Sequence, residues 1–304
     1  MIAAPGSPPV FAAPVVVDTI SVGNAPYSVA FSPNGKKAYV ANVESGSVSV
    51  ITVLTGNVTD TISVGDAPTS VAFSPNGKKA YVANGESGSV SVITVLTGNV
   101  TDTISVGDVP ASVAFSPNGK KAYVANFGAS TVSVITVLTG NVTDTISVGD
   151  APTSVAFSPN GIKAYVANGG DDNVSVIKVS TGNVTGTISV GDSPESVAFS
   201  PNGKKAYVVN YANDSVSVIT VATGNVTDTI SVGDGPQSVA FSPNGKKAYV
   251  TNRFDDTVSV ITVATGNVTD TVGVGDSPES VAFSPNGQKA YVTNRFDDTV
   301  SVIE

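Results

Sequence analysis

Two glutamates, Glu195 and Glu279, follow the proline of the same ten-residue phrase, "GDSPESVAFS", at 191–200 and 275–284. Two carboxylates brought to one opening could divide the work of general acid and general base, if their surroundings push their proton affinities apart. The bland alternative is a pair of solvated loop acids. Equivalent places elsewhere carry Tyr27, Thr69, Ala111, Thr153 and Gln237. Any chemistry of the glutamates therefore belongs to a position that varies while its flanks do not.

A second variable stretch reads, in chain order, "VESG", "GESG", "FGAS", "GGDDN", "YAND", "RFDD" and "RFDD". It supplies Phe127, Tyr211, Arg253, Phe254, Arg295 and Phe296, which are aromatic and arginine residues of the kind that anchor interfaces. With Tyr27, Glu195, Gln237 and Glu279 these are the candidate ligand-binding residues, and exposed loops also drift without function. The paired carboxylates Asp171–Asp172, Asp255–Asp256 and Asp297–Asp298 could hold a hard cation such as Ca²⁺. They lack EF-hand spacing, and adjacent residues on an extended chain point apart. The expectation is no cofactor and no metal, with Ca²⁺ as the minor alternative.

Histidine and cysteine are both absent. That removes the commonest general base and metal ligand, any thiolate and any disulfide. No glycine-rich phosphate cradle or serine-centred elbow occurs. No residue is assigned a catalytic role, and the favoured expectation is a protein without enzymatic activity.

The elements that must position these residues are written seven times. The phenylalanine of "AFSP" falls at Phe31, Phe73, Phe115, Phe157, Phe199, Phe241 and Phe283, always 42 residues apart. In the unit opening at Pro68, "TSVAFS" (69–74), "KKAYVAN" (78–84), "SVSVITVL" (89–96) and "VTDTISVG" (100–107) read as strands. "SPNG" and "TGN" supply the turns between them. Four strands in about 42 residues is the length of a propeller blade. The predicted fold is all-β, a seven-bladed β-propeller over residues 15–304 behind a Pro/Ala-rich extension at 1–14. "VVVDTISVG" (15–23) matches a fourth strand and "TVSVIE" (299–304) a third. The N-terminal segment is thus expected to complete the last blade, a three-plus-one clasp.

Charge divides between the two faces of such a disc. Twelve of the 15 basic residues lie in the hairpins after "AFSP", whereas most of the 24 acids lie in the "GDxP" and variable loops at the other end. The net charge of −9 argues against non-specific attraction to nucleic acid or to anionic membranes, and no membrane insertion is expected. No apolar run approaches the roughly 20 residues of a membrane span. The segment "MIAAPGSPPVFAAP" lacks the basic region of a signal peptide, so any export signal is expected elsewhere. "NVT" at Asn57, Asn99, Asn141, Asn183, Asn225 and Asn267 fits the N-glycosylation pattern and, more simply, a Gly-Asn turn entering a strand.

"YVTN" stands at Tyr249–Asn252 and Tyr291–Asn294, with "YVAN" or "YVVN" at the five other places. With "SVAFSPNGKKAYV" this resembles the YVTN-type β-propellers, especially the modules of archaeal surface-layer proteins and related bacterial extracytoplasmic proteins. The resemblance implies a cell-surface or extracytoplasmic scaffold or binding module, a monomer that presents its acidic face to a protein or glycan. The competing expectations are a lactonase- or lyase-type enzyme at the channel mouth, and a recently amplified or engineered repeat without an evolved ligand.

Overall fold

The computed structural model describes residues 13–304; most of the 1–14 extension lies outside the described residues. Strand β1 (Val16–Ser21) comes first. Blade one follows as β2 (Pro26–Phe31), β3 (Lys37–Asn42), β4 (Ser47–Thr52) and β5 (Asn57–Ser63). Strands β6 to β25 (residues 68–273) repeat this pattern through blades two to six. Blade seven consists of β26 (Pro278–Phe283), β27 (Ala290–Asn294) and β28 (Thr299–Ile303), and its outer strand is β1. The predicted clasp is therefore present. Val16 pairs with Ile303, Ile20 with Val300 and Ser21 with Thr299, all antiparallel.

The core lies between blades, not within them. Each sheet turns alternate residues of its middle strands to either neighbour. Tyr39, Ala41, Val48, Val50 and Ile62 of blade one thus pack on Val71, Ala80, Val82 and Ile93 of blade two. The Tyr39 ring lies 4.6 Å from that of Phe73, and every other "AYV" tyrosine meets the next blade's phenylalanine in the same way. A second ring of contacts lines the channel: Ser28 Oγ accepts the Val71 N–H at 3.2 Å, Ser70 Oγ accepts that of Val113, and so on until Ser280 Oγ accepts that of Val29. The repeat is identical because each blade must be both donor and acceptor to an identical neighbour.

Strand ends differ from the sequence reading by one or two residues, and the third strand shows the consequence. The third strand of blade two ends at Thr94, so Val95 and Leu96 belong to the turn. The Val95 N–H bonds the Lys78 carbonyl at 3.0 Å and the Gly98 N–H bonds the Thr94 carbonyl at 2.9 Å. The chain has left the ladder before the apolar run ends, and Leu96 projects from the hairpin.

Candidate functional site at the channel mouth

All seven residues that follow the loop proline, from Tyr27 to Glu279, converge on one cavity of about 380 Å³ at the end of the channel, floored by the seven channel serines. A bulge between the proline and the serine of each inner strand sets the intervening side chain at the mouth. The cavity wall has two characters. Val109, Ala111 and Phe127 form an apolar sector, and Glu195, Gln237, Glu279 and Tyr27 a polar one. Val109 holds φ at 46°, a left-handed conformation that a β-branched residue seldom adopts. Thr69 and Thr153 serve the ring: their hydroxyls donate to the Pro110 and Pro194 carbonyls of the next blade at 2.8 Å.

The two glutamates of identical context have different surroundings. Glu279 is buried, and its Oε1 lies 3.5 Å from both Arg253 Nε and Arg295 Nη1. Arg253 Nε also donates to Ser277 Oγ at 3.0 Å, and the Arg295 guanidinium sits over the Tyr27 and Phe296 rings at 5.9 and 5.8 Å. Burial raises the proton affinity of Glu279, and the two arginines oppose that shift. Burial also holds the Tyr27 hydroxyl well above the usual phenol range, with Glu279 and Glu195 adding to the effect. Glu195 forms no ion pair among the described residues. The places equivalent to the two arginines are Gly169 and Tyr211. Burial, then the Glu279 charge, push Glu195 from 4.5 up to about 7, and Arg253 pulls weakly the other way. The two carboxylates of one phrase therefore stand in unlike surroundings: Glu279 faces two arginines, whereas burial beside the Glu279 charge raises the proton affinity of Glu195.

This shift has a measurable consequence. The folded chain holds the Glu195 proton more tightly than the unfolded chain does. The group therefore favours folding fully below about 4.5, and that contribution disappears as pH rises through about 7. Glu195→Gln is expected to raise stability at pH 8.5 by on the order of 1–3 kcal/mol and to change it little at pH 5. Urea titrations at the two pH values measure this, and equal shifts at both would show that Glu195 titrates normally.

The remaining candidates separate by place. Phe127 lines the cavity, whereas Phe254 and Phe296 are 59% and 64% exposed on the rim. Tyr211 packs 6.0 Å from Phe254. Phe254 lies over Gly235, where φ is 61° and a Cβ would come within 2.6 Å of the ring. Arg253 and Arg295, read from sequence as surface anchors, turn to Glu279.

The aspartate pairs bond backbone. Asp255 accepts the Asp234 N–H and Asp297 that of Asp276, both at 2.8 Å within a blade. The second aspartate ties the next blade: Asp172 accepts the Ser193 N–H at 2.8 Å, Asp214 that of Gly235 and Asp256 that of Ser277, both at 2.9 Å. Asp298 accepts the Ala25 N–H at 2.8 Å and so joins the end of the chain to its beginning. Among the described residues no three acidic side chains gather as a metal site.

Sequence reasoning missed Ser277, Thr251 and Thr293. The Thr251 hydroxyl accepts the Ser238 N–H at 3.0 Å and donates to the Glu279 carbonyl at 3.3 Å; Thr293 accepts the Ser280 N–H at 3.0 Å. The available signal was the change from Ala to Thr in "YVTN" in the two blades that also carry "RFDD".

A family model described as lactonase, seven-bladed beta-propeller, matches residues 55–304. Among solved structures, the chain is similar to hydrazine synthase of Kuenenia stuttgartiensis, at 26% identity and a TM-score of 0.86, over 93% of this chain and 96% of that one. No curated protein matches it.

Proposed function

We propose that this chain, which belongs to the lactonase family of seven-bladed β-propellers, is a binding module that takes a hydroxyl-rich ligand, the terminal sugar of a glycan, at its channel mouth. One observation carries the reading: the wall of the mouth is apolar across Val109, Ala111 and Phe127 and hydrogen-bonding across Glu195, Gln237 and Tyr27. A pyranose has the same division, with an apolar ring face and a polar edge. Phe127 would receive the face, and Glu195 and Gln237 would bond the hydroxyls. The exposed rings of Phe254 and Phe296 extend the surface toward the rest of a glycan. The resemblance to YVTN-type surface-layer propellers supports an extracytoplasmic setting, with the acidic face toward the partner and the chain acting as a monomer.

A glycan array followed by saturation-transfer NMR with methyl glycosides tests the reading. Binding is expected to fall at least tenfold in Phe127→Ala and Gln237→Ala while the melting temperature holds. Equal binding by both variants would remove the mouth as the site. Binding of no glycan by the wild type would favour a repeat protein without an evolved ligand.

A second reading, lactone hydrolysis, is supported by the family and by the proton affinity of Glu195. Glu195 would take a proton from water as its oxygen bonds the carbonyl carbon. The ring C–O bond would break, and the leaving alkoxide would recover the proton from Glu195. Binding is the first reading because the two-sided wall of the mouth carries it directly. Turnover of a γ- or δ-lactone that vanishes in Glu195→Gln would reverse the order.

A further inference from the structure

The chain contains three leucines, Leu54, Leu96 and Leu138, and none is in the core. They are 91%, 92% and 92% exposed, each alone at the tip of the third hairpin of blades one, two and three. Equivalent tips in blades four to six carry Ser180, Ala222 and Ala264. Blade four continues the arc differently, with Ile162, 59% exposed, where its neighbours have lysine. A core built from valine, isoleucine, alanine and tyrosine gives no packing reason for leucine at these tips.

The leucines stand among lysines. The Val53, Val95 and Val137 N–H groups, each preceding a leucine, bond the carbonyls of Lys36, Lys78 and Lys120 at 3.0 Å. The two hairpins of each blade are thereby fastened side by side, and these three lysines are exposed. Asp60, Asp102 and Asp144 stand on the outer strands three residues beyond the hairpin asparagines. The rest of the acid in these blades lies at the opposite face. We propose that the hairpin face of blades one to four docks on an anionic lipid bilayer, with the three leucines inserted among the acyl chains and the lysines at the headgroups. Three leucine tips, each beside an exposed lysine, match a surface that is apolar inside and anionic at its boundary. Charge fixes the orientation: lysines face the anionic headgroups, and the acidic face, with the channel mouth, points away from the bilayer.

Vesicle co-sedimentation tests this with the full chain. At about 0.1 M salt the protein is expected to sediment with vesicles containing about one-third phosphatidylglycerol and to remain largely in solution with phosphatidylcholine alone. The triple change L54S/L96S/L138S should lower the partition coefficient about tenfold or more, and K36E/K78E/K120E should do likewise. All six side chains are exposed or at turn tips, so melting temperatures should match the parent and separate lost docking from lost folding. Equal partitioning of the leucine variant, or no binding to either vesicle, would overturn the proposal. So would self-association of the parent, abolished by L54S/L96S/L138S, with vesicles ignored, because the arc would then be a protein contact.

Discussion

Removal of residues 1–22 is expected to cost the protein its single cooperative unfolding transition and on the order of 5 kcal/mol or more of stability. Strand β1 is the one outer strand not covalently continuous with the three strands it completes. Without it, the ladder from Val16–Ile303 to Ser21–Thr299 is lost, as is the buried side chain of Ile20. The Val22 N–H bond to the Asp298 carbonyl and the reciprocal Val15–Glu304 pair go with it. Each ladder bond contributes about 0.5–1.5 kcal/mol, and burial of the isoleucine contributes about 1.5–3 kcal/mol. The bare edge of β28 would also become a template for pairing between chains. Guanidinium unfolding and small-angle scattering measure the outcome. A truncated chain with an unchanged midpoint and radius would mean that the ring does not depend on this closure. Ile20→Ala is the gentler probe, expected to cost about 2–4 kcal/mol. Ile62→Ala, the same contact in an uninterrupted blade, is its control.

The ring was legible because each feature that determines it is local and repeated. Turn residues fix where strands end, β-branched runs fix what lies between, and the fixed 42-residue phase fixes how blades stack. Even the clasp could be read, since a fourth-strand phrase at one end and a third-strand phrase at the other leave one pairing. What could not be read depended on contacts between loops. Asp172 and Ser193 are 21 residues apart and belong to different blades, so the hydrogen bond that gives the aspartate its task appears only in the folded ring. The leucine tips were misread because "SVSVITVL" is apolar to its end, whereas the strand stops where the backbone turns to bond the lysine hairpin. Glu195 and Glu279 show the limit most clearly. Their sequence phrases are identical and burial raises both, but Arg253 and Arg295 oppose the shift at Glu279, whereas the places of those arginines beside Glu195 are held by the uncharged Gly169 and Tyr211.

The double change Arg253→Ala and Arg295→Ala is accordingly expected to destabilise the protein by about 3–5 kcal/mol at pH 8, because it leaves the Glu279 carboxylate buried without a countercharge. The guanidiniums stand 3.5 Å from Oε1, at the outer limit of hydrogen bonding, so charge neutralisation is their main contribution. Burial already raises the proton affinity of Glu279, and removing both opposing cations raises it further. In the variant the folded state would bind a proton that the unfolded chain releases. Its stability should therefore recover as pH falls toward 5 and decline again as pH rises. Adding Glu279→Gln to the double change should restore most of the loss at pH 8, since a neutral amide carries no such desolvation cost and can bond nearby hydroxyls. Guanidinium titrations of the parent, double and triple variants at pH 5 and pH 8 distinguish the causes. A loss that is the same at both pH values and is not rescued would mean that the arginines act through their packing on Tyr27, Phe254 and Phe296.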